Sequence, residues 1–450
     1  MKVKQDVIGY LPDESPSFLR LLILALQQII VMFPATVLVA LYTGFHVSTT
    51  IFASGLATLC FIFITKRKIP LYYGSSFSYI AAISAITLAE YGETASDLLI
   101  GKAQFGIIMS GLVSIVVGLI LKKVKFETIE KVLPATVTGS VALIIGLSLS
   151  ATALNNASDV SSIVGVTDAS LATNLSWVIA LVTLFTTIFF SVYLKKGIWS
   201  QIPILLGLII GYVTALIIGW STGIQFVNFG LLNTKDIFQV PHFTLPVPSL
   251  EAVLAIMPIA IATIPESTAH LYQLDIYVNN LAKERGVSNK YNIADKLGLN
   301  LIGDGLGDMI SAAIGGPAGT NYGENLSTMS ITRNFSVNVL ISASIITMII
   351  SFFTPLSSLV YSIPGAVIGG LSIYLFGVIA AQGIAIMIEK KVDLFSSKHL
   401  AIIAIILIVG LGGSFNFPNG MIPLFGFKAP AIATAAIMGI IINLLFNLFD

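Results

Sequence analysis

The sequence contains one cysteine and few charged residues. The only thiol, Cys60, lies inside an apolar segment, which excludes an intramolecular disulfide and a cysteine-based metal site. Charged residues make up 10% of the 450 residues and hydrophobic residues 56%, with a mean hydropathy of +0.94. This composition excludes a soluble globular protein and predicts a polytopic membrane protein that has the lipid bilayer as its solvent. The net charge of +1, without a basic tail, gives no indication of nucleic-acid binding.

Several motifs are also missing. There is no GxxxxGK[ST] sequence, so ATP-driven transport by this chain is not expected. An HExxH motif, a nucleophile elbow and a catalytic cysteine-histidine arrangement are absent too, which argues against a membrane enzyme. The four histidines are scattered and only His270 lies beside acids, so no metal and no cofactor are expected. The polar start lacks the apolar core of a cleavable signal peptide, and the first span is expected to be retained.

The segment from Gly315 to Arg333 lies between long apolar stretches but contains Pro317, four glycines and Glu324. About ten residues after Gly323 can be helical, a rise of roughly 15 Å against a hydrocarbon core of roughly 30 Å. A broken helix at membrane depth is tolerated only where it is buried in protein or lines a polar cavity. Its free N–H groups then point at the occupant of that cavity. This segment therefore predicts a solute-binding site.

The first half of the chain contains a similar segment. Tyr73-Gly74 followed by Ser75 to Ser78 aligns with Tyr322-Gly323 and the four residues that follow it. Pro34 with Pro265, and Pro134 and Gly139 with Pro364 and Gly369, repeat in the same order about half a chain apart. Paired interrupted helices in two halves are typical of the binding site of a secondary transporter. The sequence thus predicts an internal repeat with two half-helices, near 75–90 and 322–333, each entered through extended backbone.

Twelve further apolar segments bring the prediction to fourteen transmembrane elements, seven in each half. They lie near 18–42, 48–65, 99–121, 133–153, 172–194, 199–219, 250–275, 297–314, 334–357, 363–388, 398–416 and 427–448. With a cytoplasmic N-terminus, all but three of the 23 lysines and arginines fall on the cytoplasmic side; the exceptions are Lys102, Lys235 and Lys428. Seven elements per half make the repeats inverted and place the C-terminus in the cytoplasm as well. Residues 220–249 are expected outside, with a short hairpin.

Five ionisable residues are expected at membrane depth. Glu266 and His270 are four residues apart and share one helical face, and Glu324 opens the second half-helix. Buried acids in a bilayer usually face a polar interior, which favours a substrate or proton pathway. The alternatives are a structural strut between Glu266 and His270, and a histidine that only orients the acid. For Asp304 and Asp308, among closely spaced glycines, a supporting structural role is favoured.

The remaining candidate contacts come from the two half-helix starts and the first segment. Phe77 and Tyr322 can form a flat aromatic wall for a ring, or simply pack against neighbours. Gly323 offers a backbone N–H, and Ala35 completes the predicted substrate-binding set of Glu266, Glu324, Phe77, Gly323, Tyr322 and Ala35. Glu266, His270 and Asp304 form the predicted proton-coupling set.

At these residues the sequence resembles the nucleobase-ascorbate transporter family over essentially the whole chain, and most of all its bacterial uracil permeases. Glu324-Asn325-Leu326-Ser327 through Thr332-Arg333 is similar to the family signature, with Ser327 in place of a glycine. Glu266, His270, Asp304 and the stretch Gly74 to Phe77 match further family positions. In the first element, Gln27-Gln28 departs from the Gln-His of many members.

The resemblance implies a fourteen-helix fold with a core domain (1–125 and 250–358) and a gate domain (126–249 and 359–450). It also implies proton-driven import of a nucleobase, uracil first, across the cell membrane, by a homodimer. Two alternatives remain open: a purine symporter of the same fold, and an anion exchanger or channel of related architecture.

Overall fold

A computed structural model describes residues 9–123, 128, 131–160, 163, 168–194, 202–232, 236–287, 291–424 and 426–448. In chain order its helices are α1 Phe18–Thr43, α2 Val47–Ile64, α3 Ile80–Thr87, α4 Asp97–Leu121, α5 Ala135–Ser148, α6 Ser150–Ser158, α7 Ala169–Tyr193, α8 Pro203–Thr222, α9 Leu250–Ile256, α10 Ile259–Glu284, α11 Leu297–Ala313, α12 Gly323–Thr332, α13 Val337–Ile350, α14 Thr354–Tyr361, α15 Gly365–Glu389, α16 Ser397–Asn416 and α17 Ala431–Leu448. The strands are β1 Tyr73–Ser75, β2 Gly319–Asn321, β3 Met421–Leu424 and β4 Phe427–Pro430.

Within the described residues, ten helical stretches are long and apolar enough to cross a membrane, with α5–α6 and α9–α10 each counted as one. The four other predicted positions hold shorter helices: Phe77–Thr87, which includes a 3₁₀ turn before α3, together with α11, α12 and α13. The protein is therefore a mostly helical, multi-pass membrane protein. The lysines at 2, 4, 125, 195, 196, 235 and 290, both chain ends and the predicted 125/126 boundary lie outside the described residues.

Two expectations were wrong. The helix predicted at 427–448 begins only at Ala431, because β4 pairs antiparallel with β3 to form a hairpin. Pro430 ends this strand; proline lacks an N–H but fits the start of a helix. No hairpin forms in the described part of 220–249, which contains a 3₁₀ turn at Phe229–Leu232 and an isolated bridge from Phe238 to Phe353.

The two predicted extended segments are confirmed, and they pair with each other. β1 and β2 run antiparallel, with Tyr73 opposite Asn321 and Ser75 opposite Gly319. The pairing continues at both ends, where Tyr322 N donates to Tyr72 O at 2.9 Å and Ser76 N donates to Ala318 O at 2.9 Å. A short helix follows each strand, so both helix starts are held together at one place in the fold.

Glycine is required in this strand pair by close backbone approach. A Cβ on Gly319 would lie 2.6 Å from the carbonyl oxygen of Gly74, and it would also meet the ring of Tyr73. The carbonyl belongs to the paired backbone and cannot turn aside. The two half-helix starts can therefore come this close only with glycine at this position.

Replacing Gly319 with alanine should lower both thermal stability and transport, because the added methyl forces β1 and β2 apart. Overpacking of this kind costs about 1–3 kcal/mol. The matched control is Gly412→Ala on α16, where a Cβ meets nothing within 4 Å. Thermal unfolding of the purified variants checks the expectation, and equal melting temperatures for the two would contradict it.

Helix packing is duplicated between the two halves. The contacts of α1 and α2 with α13 are matched by those of α10 and α11 with α4. In the same way, α7 contacts α15 and α8, while α16 contacts α5 and α17. Glycines allow the closest of these approaches: a Cβ on Gly118 would lie 2.7 Å from Gly298 O, and one on Gly55 would lie 2.7 Å from Ser344 O. The matched contacts support the internal repeat.

Candidate functional site

A cavity of about 230 Å³ lies where the two half-helix starts meet α1, α10 and α15. On one side its wall contains Glu266 and His270 from α10, Glu324 from α12, and Phe77. On the opposite side it contains α15 residues and the start of α8: Tyr374, Leu375, Val378, Ile379, Gln382, Pro203, Ile204 and Leu205. A neighbouring cavity of about 170 Å³ shares Phe77, Glu266, His270 and Gly323. Five of the six predicted substrate contacts, all except Ala35, are therefore brought to one place, together with His270.

Glu266 and Glu324 reach the cavity from different elements. Ser78 Oγ donates to Glu266 Oε2 at 3.2 Å, which fixes that carboxyl group beside the first half-helix start. Glu324 is in the first turn of α12, where the free N–H groups of the helix favour negative charge. Both residues are only partly buried, so their carboxyl groups face the cavity. The two acids can thus contact a solute from two directions.

His270 and Gly323 are in direct contact. A Cβ on Gly323 would lie 2.8 Å from Nε2 of His270, so the ring lies directly against the start of α12. His270 also follows Glu266 by one turn of α10. The imidazole therefore connects the helix that holds one acid with the helix start that holds the other.

Of the two predicted aromatic contacts, only Phe77 presents its ring to the cavity region. It packs edge-on against Phe376 of α15, with ring centroids 5.8 Å apart, and it lines both cavities. The Tyr322 ring turns into the core, where it stacks on Tyr72 at 6.5 Å and its hydroxyl bonds to Thr36 at 2.9 Å. Tyr322 thus contributes at the point where its backbone enters α12, and its ring packs internally.

Ala35 is buried in the hydrophobic cluster that supports the cavity. The α1 residues that line the wall itself are Ile30, Val31 and Pro34. Ala35 therefore follows the lining residues by one position and is not among them. The prediction that Ala35 contacts the substrate is not supported, because Ala35 does not line the cavity.

Asp304 and Asp308, both on α11, lie behind the cavity wall. Asp308 accepts a hydrogen bond from the Tyr73 hydroxyl at 2.5 Å and another from Gly319 N at 2.7 Å, so it joins both strands of the pair. Asp304 accepts a hydrogen bond from Ser267, the residue after Glu266. Its Oδ1 is buried and has no hydrogen-bond partner among the described residues. Asp308 therefore stabilises the strand pair. Asp304 is linked through the Ser267 side chain to the turn of α10 that contains Glu266.

Some residues that line the two cavities were not predicted from the sequence. Ser78 directly follows Phe77 in the Gly-Ser-Ser-Phe-Ser run, and that position could have been chosen from the run alone. Three other polar lining residues are scattered in long apolar helices: Ser191 in α7, and Tyr374 and Gln382 in α15. No spacing in the sequence distinguishes them, because they reach the site only through the packing of α7 and α15.

Residues 19–419 match the sequence profile of the Permease family. The chain belongs to this family. It is a transporter and not an enzyme. A uracil permease of Bacillus caldolyticus is 36% identical over 441 residues, 96% of this chain and 93% of that protein. A putative pyrimidine permease, RutG, of Escherichia coli is 32% identical over 440 residues, 97% of this chain and 91% of that protein.

Solved transporters share the fold of this permease. The transmembrane domain of the cyanobacterial bicarbonate transporter BicA superposes with a TM-score of 0.58 at 16% identity, covering 96% of this chain and 98% of that one. SLC26A9 superposes with a TM-score of 0.64 at 12% identity, and the match covers 96% of this chain and 65% of that one. At these identities the likeness concerns the fold alone.

The residue at which this permease departs from the Gln-His pattern, Gln28, contacts the signature segment. Asn325 Nδ2 donates to both the side-chain and main-chain oxygens of Gln28, each at 2.9 Å. Gln28 is fully buried at this contact. A glutamine here therefore holds α12 against α1 at the second residue of the signature.

Proposed function

We propose that this permease is a proton-coupled importer of a nucleobase, uracil first. The observation that carries the proposal is the pair of acids, Glu266 and Glu324, in one cavity between two half-helix starts. The names of the relatives support the substrate class: several that are 31–36% identical over nearly the whole chain are uracil permeases. A carboxyl group on each of two sides suits a flat ring with N–H groups on neighbouring edges.

Recognition of uracil would use three kinds of contact. The carboxyl groups of Glu266 and Glu324 accept from the ring N–H groups, and the backbone amide of Gly323 at the start of α12 donates to a ring carbonyl. Phe77 provides an apolar face for the flat ring. Tyr322 supports the site from behind, through its bond to Thr36, and Ala35 supports α1 at the same level.

Proton coupling is assigned to Glu266, with His270 and Asp304 as its partners. A protonated carboxyl group gains an O–H donor, so it can meet a ring carbonyl that the ionised form repels. Binding of the proton and of uracil would then favour each other. Ser267 links the Glu266 turn of α10 to Asp304, which gives the proton a second acid near the cavity.

Alternating access requires two bodies that move about the site. We assign the core domain to residues 1–125 and 250–358 and the gate domain to 126–249 and 359–450, as fourteen elements in two inverted repeats. The cavity supports this division, because its acids come from the first set and its opposite wall from α8 and α15 of the second. Rocking of the gate against the core would expose the cavity to each side in turn.

The proposed location is the cell membrane, with both termini in the cytoplasm. The excess of lysine and arginine on one side of the predicted topology supports this orientation. A homodimer is proposed from the family resemblance alone. Protons and the nucleobase are the proposed partners in transport.

The two alternative substrates make different demands on the cavity. A purine would meet the same acids and is separated from uracil by competition. An inorganic anion would be repelled by two ionised carboxyl groups, so the shared fold with anion transporters does not favour anion transport here. Uracil therefore remains the first choice.

Uptake into proteoliposomes tests the proposal directly. Labelled uracil should accumulate when the lumen is alkaline relative to the medium, and accumulation should collapse when a protonophore dissipates the gradient. Unlabelled uracil should compete strongly and xanthine weakly. Accumulation that follows a sodium gradient instead would contradict proton coupling, and stronger competition by xanthine would identify a purine carrier.

His270→Asn should shift the pH dependence of transport and leave binding measurable. The imidazole contacts Gly323 one turn from Glu266, and by changing its own protonation it can stabilise either charge state of that acid. Asparagine keeps a polar group but cannot titrate. Uptake measured across pH 5–8 beside equilibrium binding checks this, and an unchanged profile would make His270 a packing residue.

A further inference from the structure

Three segments that are distant in the sequence meet at one end of the helix bundle, away from the cavity. His46 lies between α1 and α2, Asp97 is the first residue of α4, and His242 lies in the stretch that precedes α9. His242 Nε2 is 2.9 Å from Asp97 Oδ2, and His46 Nε2 is 3.7 Å from Asp97 Oδ1. The two imidazole rings are 4.4 Å apart between centroids. Two ring nitrogens and a carboxylate therefore converge on one small volume.

The stretch that contains His242 is held firmly in this position. Thr49 Oγ1 donates to the His242 carbonyl at 2.7 Å, and Val247 N donates to Gly101 O at 2.8 Å. Between these two points Thr244 Oγ1 donates to Gln104 Oε1 at 2.9 Å. The backbone is therefore held at His242 itself and at the residues that follow it, so little ordering would be needed to bind a ligand.

One nitrogen of the cluster is unsatisfied. Nε2 of His46 is buried and has no hydrogen-bond partner among the described residues. Asp97 and His242 are more exposed, at 62% and 54% of their side chains. A buried polar atom without a partner costs free energy unless something binds to it. The cluster is thus open to solution on one side and has a buried ring nitrogen without a hydrogen-bond partner on the other.

We propose that His46, Asp97 and His242 bind a divalent transition-metal ion, zinc first, with water in the fourth position. Their ligand atoms all lie within 4.8 Å of one another. Tetrahedral zinc with bonds of roughly 2.0–2.2 Å needs ligand atoms roughly 3.3–3.5 Å apart. The distances from the Asp97 carboxylate to Nε2 of His242 and of His46, 2.9 Å and 3.7 Å, lie on either side of that range. Imidazole nitrogen suits zinc and excludes calcium and magnesium, which prefer oxygen ligands.

No sequence pattern indicates this site, because its histidines belong to no metal-binding motif and are brought together only by folding. None of the three residues lines the transport cavity. The ion would fasten the stretch before α9 to the ends of α2 and α4, on the face that the charge distribution predicts to be outside. Its source would then be the external medium, and its effect would be on stability.

The test uses the full-length protein purified with a tag that contains no histidine. Isothermal titration with Zn²⁺ should give one site per chain, and Zn²⁺ but not Mg²⁺ should raise the melting temperature. His46→Gln and His242→Gln should each weaken zinc binding by a factor on the order of 100 or more, because even outer-shell substitutions cost about 10–100-fold. The matched control, His399→Gln, changes a partly buried histidine outside the cluster and should bind zinc normally.

A second variant distinguishes ligation from packing. His242→Cys replaces one zinc ligand with another and should retain saturable zinc binding, whereas a histidine needed only for its shape would not be rescued. Melting temperatures measured without metal show whether each variant is folded. If the His242 variants do not fold, His46→Gln alone tests ligation. The absence of saturable binding by the unmodified chain, or zinc affinity in the His46→Gln and His242→Gln variants equal to that of the unmodified chain, would overturn the proposal.

Discussion

Replacing Glu266 with glutamine should abolish pH-driven accumulation of uracil, while binding or exchange of uracil survives. Glutamine keeps the shape of the side chain and can still bond to Ser78, which now contacts Glu266 Oε2 at 3.2 Å. It cannot take up or release a proton, so the substrate can no longer be coupled to the gradient. Uptake driven by an imposed pH gradient, beside counterflow exchange at equal pH, measures the two functions separately.

The matched control for this variant is Glu251→Gln. Glu251 is an exposed acid in α9, at the start of the same long apolar stretch, and it does not line the cavity. Its removal should leave both accumulation and exchange at the level of the unmodified chain. If Glu266→Gln accumulated uracil normally, Glu266 would not be the coupling acid, and Asp304 would be the next candidate.

Replacing Glu324 with glutamine should weaken uracil binding by about one to two decades and admit xanthine. At the start of α12, the carboxylate offers only acceptors, whereas glutamine offers a donor as well. Loss of a charge-assisted hydrogen bond costs roughly 1.5–3 kcal/mol, and about 1.4 kcal/mol corresponds to one decade. In the family that the sequence resembles, glutamine at this position is usual in xanthine carriers.

Equilibrium binding of labelled uracil, with competition by xanthine, checks the effect. Glu93→Gln, an exposed acid between α3 and α4, is the control and should change neither affinity. Accumulation at saturating uracil should survive in Glu324→Gln, because Glu266 still titrates. A Glu324 variant with full uracil affinity would show that this acid faces the cavity without contacting the substrate.

Much of the fold could be predicted from local sequence. Long apolar stretches identify membrane helices because a helix that spans the hydrocarbon core must present apolar side chains to it. The Tyr-Gly pairs at 73–74 and 322–323 indicated extended backbone before short helices, and both strands are present. Pro258 divides the element predicted at 250–275 into α9 and α10, and Pro430 ends β4 directly before α17, because proline interrupts the hydrogen bonding on which a regular element depends.

The candidate site was predicted less completely. Glu266, Glu324, His270 and Phe77 stand out because acids, a histidine and an aromatic ring are unusual beside glycine-rich breaks in apolar sequence. Their convergence on one cavity agrees with that expectation. The inward turn of the Tyr322 ring, the absence of Ala35 from the wall and the tie between Asp308 and both strands were not predictable from spacing.

The sequence by itself determined that this is a membrane transporter of the permease family, with two interrupted helices and a small set of buried acids. These features depend on composition and on residues a few positions apart, so they can be recognised without knowledge of the fold. Only the tertiary structure decided which groups face the cavity, that Tyr374 and Gln382 belong to its wall, and that His46, Asp97 and His242 meet. Those contacts join residues far apart in sequence, and their geometry is set by the angle and depth at which whole helices pack.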